Sequence, residues 1–402
     1  MKDASRYTRG HLSRDAVRAL YGGAVTLSAS RMDMARSCHF AYFMRYGLKA
    51  RERTGAGFDA PQIGTFVHDV MEHTLRQAKE CGGLHTLSKD KLHALVRASI
   101  EEYIDRVLPD LCEKSARFRY LFNRLCATVE RIMDEVSEEL QSSDFEPLAF
   151  ELEFGADGQL PAITIREENG TARVVGKVDR VDGWLHDGKL YLRVVDYKTG
   201  KKSFDLAELR YGLGLQMLLY LFTLKEEGQM LFGGHEIVPA GVLYTPAREP
   251  MLRCARDTEP EKIEKALKKE LRRSGMVLED PAVLQAMEHS ALESPCYLPI
   301  AVKRDGAVTG SLASAEQLGK LSKYVDHILH EITQEVFAGN IDADPYARTP
   351  QQSACTYCEF ASACHFENGC GSDRMEYIKA TKNDEFWQYV DEVNGEGARE
   401  NG

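Results

Sequence analysis

The sequence lacks the features that mark several large classes of protein. No stretch approaches the roughly 18 consecutive apolar residues of a membrane-spanning helix, so we expect no membrane segment. The first residues, MKDASRYTRGHLSRD, contain no apolar run of the kind that directs secretion, which predicts a cytoplasmic location. No G-x-x-x-x-G-K-[ST] motif occurs, so the sequence contains no P-loop motor.

Positive charge and cysteine are also limited. The net charge of −11 argues against a broad basic surface and against strong sequence-independent binding to nucleic acid, although it is compatible with a local basic groove. Ten cysteines in 402 residues are too few for a disulfide scaffold. Five of them stand singly, and we expect these to be small buried hydrophobic residues: Cys81, Cys112, Cys126, Cys254 and Cys296.

One segment concentrates basic residues. Residues 261–273 (EKIEKALKKELRR) carry six lysines and arginines on a predicted helix. We favour a solvated helix face with i,i+4 pairs such as Glu261–Lys265, and contact with a nucleic-acid backbone is the alternative.

Hydrophobic periodicity changes along the chain. Helical periodicity is followed by alternating runs between turn signals, which predict a strand meander over 146–198. The polar, glycine-containing segment at 51–61 predicts a loop. Helices are predicted over 31–46, from Ile63 onward, over roughly 88–107 and 115–141, and over 205–227, with a strand over 237–245.

These patterns divide the sequence into a large central domain and two short ends. Within the domain we expect a helical part, a sheet core, and a second helical part that contains a cysteine cluster. The predicted boundaries are an N-terminal extension at 1–19, helices at 31–141, the sheet core at 146–245, the helical and cysteine part at 255–380, and a polar tail at 391–402.

The most informative segments are GKVDRVD at 176–182 and VVDYKTG at 194–200, which predict a hairpin with its turn at His186–Gly188. Side chains two apart in a strand project to the same face, so Asp196 and Lys198 project together at the end of the second strand. Asp179 comes from the neighbouring strand. A divalent cation relieves the repulsion between two such carboxylates. The arrangement is typical of metal-dependent phosphodiester hydrolysis, but a surface hairpin with an Asp–Lys pair shows the same pattern.

Two helices supply further candidates. Gly64 and His68 lie one turn apart, and a glycine there permits another backbone to approach closely, so His68 is a candidate metal ligand. A lone histidine is more often a structural residue. Gln216 and Tyr220 form a polar line among leucines at helical spacing, and this line can face the site.

A cysteine cluster near the end of the sequence indicates a metal centre. Its C-x2-C-x5-C pattern comprises Cys355, Cys358 and Cys364. Cys370 and His365 are local candidates for a fourth ligand in a zinc site. The other candidate is Cys38, far upstream. Closing that loop costs roughly 5 kcal/mol, which metal–thiolate ligation of about 10 kcal/mol or more can offset.

Four segments together resemble the PD-(D/E)xK nuclease fold in its RecB-type branch. They are GTFVH at 64–68, GKVDRVD at 176–182, DYKTG at 196–200 and LQMLLYL at 215–221. The resemblance implies an α/β fold with a mixed central sheet flanked by helices. Val178 stands where the family name has its proline, a variation that is usual in this branch.

The same resemblance implies a role for each matching residue. Mg²⁺ (or Mn²⁺) would be held by His68, Asp179, Asp196 and the backbone carbonyl of Tyr197. Lys198 would be the catalytic lysine. Gln216 and Tyr220 would support the site and approach DNA.

A second resemblance concerns the cysteines. The segment at 28–48 (SASRMDMARSCHFAYFMRYGL) and the C-x2-C-x5-C run are similar to the iron–sulfur form of the RecB-type nucleases. This implies a [4Fe–4S] cluster on Cys38, Cys355, Cys358 and Cys364 that staples extra N- and C-terminal helices together. We favour the cluster over a local zinc site.

Residues 274–288 and 311–346 are similar to the C-terminal nuclease domain of the AddB family, and the match runs from about residue 20 to about residue 390. This implies a nuclease domain over 20–390 that cleaves single-stranded DNA from ends in double-strand-break repair and recombination. It also implies an AddA-type helicase partner. The helicase-like part of an AddB protein is missing from the sequence, so we expect an excised domain or a truncated or split gene product.

Two other functions remain alternatives. The acidic net charge and the missing motor favour a non-catalytic DNA-binding or scaffolding module of a repair complex. A stand-alone iron–sulfur exonuclease, like those of CRISPR adaptation, would share the same site and staple. The extra helices at both ends of the nuclease core argue against it.

Overall fold

A computed structural model describes residues 8–52, 60–155, 158–255 and 257–400. Within these ranges, no helix is both long enough and apolar enough to cross a bilayer. The loop predicted at 51–61 lies mostly outside the described residues.

The predicted α/β architecture is confirmed, with thirteen α-helices in the described ranges. Several begin at a serine whose side chain accepts a backbone N–H: Ser88 before α5, Ser115 before α6 and Ser314 before α11. The helices are α1 (Arg14–Tyr21), α2 (Ala29–Ser37), α3 (His39–Tyr42), α4 (Ala60–Glu80), α5 (Lys89–Val107), α6 (Ala116–Gln141), α7 (Leu206–Arg210), α8 (Gln216–Glu227), α9 (Pro260–Glu270), α10 (Pro281–Met287), α11 (Ala315–Ala338), α12 (Ala361–Cys364) and α13 (Asn383–Glu400).

The central sheet has six strands and is mixed. Its order is β11-β8-β7-β6-β5-β2, with parallel pairs β6–β7 and β8–β11 and antiparallel pairs elsewhere. Helices flank it: α8 packs against β6 and β7, and α4 packs against β2. The strands are β2 (Glu146–Phe154), β5 (Gly176–His186), β6 (Lys189–Lys198), β7 (Glu236–Pro246), β8 (Ser274–Leu278) and β11 (Leu312–Ala313).

The remaining strands form small separate sheets, so the single meander predicted over 146–198 is wrong. In the first small sheet β4 lies between β1 and β3, away from the central sheet. The other two sheets are β9–β10 and β13-β12-β14, in a part of the sequence that we expected to be largely helical. The strands are β1 (Ala24–Leu27), β3 (Ile163–Glu167), β4 (Gly170–Val174), β9 (Ile300–Val302), β10 (Val308–Gly310), β12 (Tyr346–Thr349), β13 (Gln352–Ser353) and β14 (Glu376–Tyr377).

Two predicted helices are interrupted, each at a residue with a non-helical backbone. The helix predicted over 31–46 breaks at Cys38, which is extended (φ −174°, ψ 120°). The helix predicted over 205–227 breaks between α7 and α8, where Gly212 (φ 73°) and Gly214 (φ 68°) adopt positive φ. Asp33 of α2 accepts a hydrogen bond from the Gly214 N–H at 2.9 Å, so the second break is held from the N-terminal helices.

Both predicted ends of the domain contain regular structure. Helix α1 begins inside the predicted N-terminal extension, and its Val17 is buried in the core. Helix α13 continues through residues 391–400 of the predicted polar tail. The domain boundaries therefore remain predictions, although both end segments include helical residues.

The expectations for the basic segment and for the single cysteines need correction. Helix α9 ends at Glu270, so the arginines at 272 and 273 lie beyond it, and Arg273 is buried in an ion pair with Glu139 (2.6 Å). None of the five single cysteines is buried. Three are exposed and two are half-buried: Cys81, Cys112, Cys254, Cys126 and Cys296.

Candidate metal and active site

The predicted hairpin brings two carboxylates to neighbouring strands. Strands β5 and β6 are antiparallel with Arg180 opposite Val195, and this register places Asp179 opposite Asp196. The turn between them contains Asp187 (φ 49°) and Gly188 (φ 77°), a pair of positive φ angles that suits a tight hairpin. Both aspartates thus lie at the same end of the hairpin, next to the loop that follows β6.

His68 of α4 joins them. Its Nε2 lies 2.9 Å from the carbonyl oxygen of Tyr197, and its Nδ1 lies 3.3 Å from Oδ2 of Asp179. The Tyr197 N–H donates to the same carboxylate oxygen at 2.8 Å. A Cβ on Gly64 would only touch the Thr199 side chain at 4.0 Å, so the crowding that we expected at this glycine is absent among the described residues.

Asp196 and Lys198 form a pair on the opposite side of the hairpin end. Oδ2 of Asp196 lies 2.7 Å from Nζ of Lys198, and the aspartate is only 4% exposed. Burial raises the pKa of Asp196 to about 6, and the charge of Asp179 adds to this. The ammonium also lies 5.7 Å from the centre of the Tyr244 ring, so its position is fixed from two directions.

These residues fit a divalent cation. Oδ2 of Asp196 is buried, and in the described part of the chain it makes no aligned hydrogen bond despite its ion pair, so a lone pair remains available. Burial lowers the pKa of His68, but the hydrogen bond and charge of Asp179 outweigh it and raise that pKa to about 8. A cation would relieve the repulsion between the two aspartates and displace this proton.

A third carboxylate, Glu151 of β2, was not predicted. One ligand atom each from His68, Glu151 and Asp179 lies within 4.8 Å of the others, and Glu151 also pairs with Lys177. Glu151 adopts a positive φ of 48°, unusual for a non-glycine residue in a strand. Pattern alone could not identify it because β3 and β4 separate β2 from β5 in sequence.

Gln216 and Tyr220 contact each other. Nε2 of Gln216 donates to the Tyr220 hydroxyl at 3.2 Å, and the Tyr220 ring meets Phe154 edge-on with centroids 4.8 Å apart. Among the described residues, neither side chain hydrogen bonds to Asp179 or Asp196. Their role in supporting the site or approaching DNA remains a prediction.

A fully buried ion network lies behind Tyr197. Arg180 donates to the Tyr197 hydroxyl at 2.7 Å and to Asp182 at 2.7 and 2.9 Å. Arg193 donates to the same Asp182 at 2.8 Å and lies 3.4 Å from Glu139 of α6. Because the Tyr197 backbone contacts both His68 and Asp179, this network positions the strand end that carries the site.

The four cysteines of the predicted cluster line one cavity. Cys38, Cys355, Cys358 and Cys364 face a space of about 580 Å³ between α2, α3 and the C-terminal segment. Burial raises the pKa of the Cys38 thiol to about 12. His365 also lines this cavity, whereas Cys370 lies outside it.

The spacing of these thiols bears on which group they fit. Tetrahedral zinc with Zn–S bonds of about 2.3 Å places its sulfurs roughly 3.8 Å apart. In the described residues, the only three His, Cys, Asp or Glu side chains with ligand atoms within 4.8 Å of one another are His68, Glu151 and Asp179. The cysteines therefore fit a larger group than a single zinc ion.

Comparison with known proteins supports this geometry. A family model described as the PD-(D/E)XK nuclease superfamily matches residues 26–365. Three similar proteins are each named as one of the subunits of an ATP-dependent helicase/deoxyribonuclease. That of Ruminiclostridium cellulolyticum is 31% identical over 387 residues, which is 95% of this chain and 33% of the relative. That of Acetivibrio thermocellus is 33% identical over 383 residues (94% and 33%), and that of Caldanaerobacter subterraneus is 32% identical over 391 residues (96% and 33%).

The chain spans about one third of the length of these relatives. The family model covers most of the chain, including the hairpin with Asp179, Asp196 and Lys198, the helix with His68, and the four cavity cysteines. The chain therefore belongs to the PD-(D/E)XK nuclease superfamily, a family of enzymes.

Proposed function

We propose that this chain is the nuclease part of an AddB-type protein of a helicase–nuclease complex. It cleaves single-stranded DNA from ends, with Mg²⁺ or Mn²⁺, in double-strand-break repair and recombination. One observation carries the proposal: two carboxylates, an imidazole and a lysine converge at one end of the β5–β6 hairpin. The relatives are named as helicase/deoxyribonuclease subunits, which supports DNA as the substrate.

Each residue has a proposed part. Asp179, Asp196, His68 and the Tyr197 carbonyl would hold the cation, which supplies Lewis-acid stabilisation of a phosphodiester and a water of lowered pKa. Lys198, held beside Asp196, places a positive charge where negative charge accumulates on the phosphate and can orient the attacking water.

The test is cleavage of end-labelled single- and double-stranded DNA with magnesium and with chelator. We expect metal-dependent shortening of the single strand by the wild-type chain, and none by Asp196→Ala. A folded wild-type chain that binds ends but never cuts, with either metal, would show a non-catalytic DNA-binding module instead. Equal cleavage by wild type and Asp196→Ala would place the active site elsewhere.

We also propose that Cys38, Cys355, Cys358 and Cys364 hold a [4Fe–4S] cluster. Their shared cavity and their wide spacing support it. The protein purified without oxygen should be brown, and Cys38→Ser should lose the visible absorbance while Cys370→Ser keeps it. A colourless protein with one bound zinc per chain, or loss of the metal from Cys370→Ser alone, would contradict the cluster.

The proposed partner is an AddA-type helicase in the cytoplasm, which supplies the single strand. The relatives are each named as part of a helicase/deoxyribonuclease of more than one chain, which supports such a partner. Co-purification of such a helicase with the tagged chain tests this. Its absence, together with efficient cleavage by the chain alone, would favour a stand-alone exonuclease.

A further inference from the structure

A groove opens beside the candidate catalytic lysine. It has a volume of about 330 Å³ and lies between the end of β6, the segment that follows it, and residues near the ends of β7, β8 and α9. Lys198 lines one part of it, so the groove is continuous with the candidate active site. The function proposed above does not assign it.

The groove is strongly basic although the chain is acidic overall. Five cationic side chains line it, against the single carboxylate of Glu270: Lys198, Lys201, Lys202, Arg248 and Arg272. The chain carries a net charge of −11, so this is a local reversal of sign. Such a surface raises the local concentration of polyanions and steers them toward the site.

Internal carboxylates neutralise these cations only weakly. Lys202 lies 3.6 Å from Glu208, and Arg248 lies 3.4 Å from Glu270, longer than a well-aligned ion pair. Lys201 is exposed and has no ion pair in the described part of the chain.

Arg272 is held differently. Its guanidinium donates to the carbonyl oxygens of Ile300 at 3.2 Å and Pro295 at 2.5 Å. Carbonyls fix the group in place and leave its full charge uncompensated. The groove therefore combines one rigid cation with flexible lysines, which suits a chain of phosphates.

The lysine-rich helix α9 is a weaker candidate for the same role. Lys262 pairs with Glu259 at 2.9 Å, and Lys268 pairs with Glu264 at 3.0 Å, so carboxylates next to them in sequence satisfy these lysines. This matches the solvated helix face favoured from the sequence. The basic surface available to a ligand is the groove.

We propose that this groove binds the backbone phosphates of a single DNA strand next to the phosphodiester at Lys198, an inference that rests on the nuclease function proposed above. Binding there is independent of base sequence, because the one aromatic residue lining the groove, Tyr244, is buried and offers no stacking platform. Electrostatic binding of this kind releases counterions and weakens as salt increases.

The test measures binding of a fluorescent single-stranded oligonucleotide to the full chain by anisotropy, in chelator, between about 50 and 200 mM salt, a span on the order of that in which counterion release is resolved. For Lys201→Ala/Lys202→Ala, we expect at least tenfold weaker binding at the low-salt end. The slope of log K against log salt should fall by about 1.4, roughly 0.7 for each lost phosphate contact. Lys201→Arg/Lys202→Arg should keep the wild-type slope.

The matched control is Lys189→Ala/Lys225→Ala. Lys189 begins strand β6, about 30 Å from Lys198 at roughly 3.3 Å per residue, and Lys225 lies in the last turn of α8. This variant removes the same charge and should bind like wild type. Equal slopes for the groove and control variants would overturn the inference, as would a loss confined to Lys262→Ala/Lys268→Ala on α9.

Cleavage is measured separately, so the two ideas can fail independently. A wild-type chain that cuts DNA while the groove variant keeps the wild-type slope would reject the groove and leave the nuclease function standing. A chain that never cuts, but whose slope falls in the groove variant, would reject the nuclease function and retain the groove as a DNA-binding surface.

Discussion

Replacing Asp196 by asparagine should stabilise the metal-free protein while abolishing cleavage. The buried carboxylate is ionised at neutral pH at a free-energy cost, since its pKa is raised to about 6 by burial and by Asp179. Asparagine has nearly the same shape and no charge. The stabilisation and the loss of activity would therefore have the same origin.

The pKa gives the magnitude and the pH window. A rise from 3.8 to about 6 corresponds to about 3 kcal/mol at roughly 1.36 kcal/mol per pKa unit. Because the native pKa is raised, this carboxyl contributes most to stability below about pH 4, and the contribution is lost as pH rises through about 6. Wild type and Asp196→Asn should have similar stabilities near about pH 4. Above about pH 6 the variant should be more stable by about 3 kcal/mol, or about 4 °C in Tm.

Urea or thermal unfolding in chelator across this pH range measures the difference. Asp187→Asn is the matched control, since Asp187 is exposed in the turn of the same hairpin and should change stability little. Adding Mg²⁺ should stabilise wild type by about 2.7 kcal/mol at one hundred times its Kd, and Asp196→Asn much less. A variant that is less stable than wild type in chelator at about pH 8, or that still cleaves DNA, would refute this reasoning.

Two further predictions concern the metal ligands and the sheet. Because the pKa of His68 is raised to about 8, metal binding at about pH 7 should release close to one proton from it, and affinity should rise with pH up to about 8. Titration calorimetry in buffers of different ionisation enthalpy would show this, and a buffer-independent heat would contradict it. Gly275→Ala would place a Cβ far inside van der Waals contact with the Val242 carbonyl oxygen, so it should separate β7 from β8 and cost several kcal/mol. Gly319→Ala, which meets no atom within 4 Å in helix α11, should instead stabilise by about 0.5–1 kcal/mol in the same unfolding assay.

The hairpin and its carboxylates could be predicted from sequence because local rules determine them. Alternation in GKVDRVD and VVDYKTG gives the strands, and the HDG turn sets the register that places Asp179 opposite Asp196. The helices α5 and α6 follow equally local signals, a serine cap and an apolar periodicity. Their boundaries match the predicted 88–107 and 115–141 within one residue.

Long-range contacts determined the features that the sequence did not predict. Cys38 has no local reason to be extended, since the interruption places its thiol in a cavity shared with the C-terminal segment. Gly212 and Gly214 are locally compatible with a helix, and the contact of Asp33 with the Gly214 N–H becomes visible only in the folded chain. Glu151 resembles any acidic residue on an alternating strand until β2 pairs with β5.

The buried charges show the same limit. Arg180 and Asp182 were expected to place charge on both faces of β5, because alternating polar residues usually indicate a solvated face. In the structure both are fully buried, and Asp182 also accepts from Arg193, with Glu139 of a distant helix nearby. Complementary partners far apart in sequence make such burial possible, and composition does not reveal them.

The cleavage rate of Lys198→Ala, compared with that of Lys189→Ala, tests the central claim most directly. The two lysines stand at opposite ends of strand β6, and only Lys198 lies beside Asp196. Under single-turnover conditions with saturating magnesium, Lys198→Ala should cleave single-stranded DNA about 100-fold or more slowly than wild type, with metal binding retained. Lys189→Ala should cleave at the wild-type rate. Equal rates for the two variants would contradict the assignment of this hairpin end as the active site.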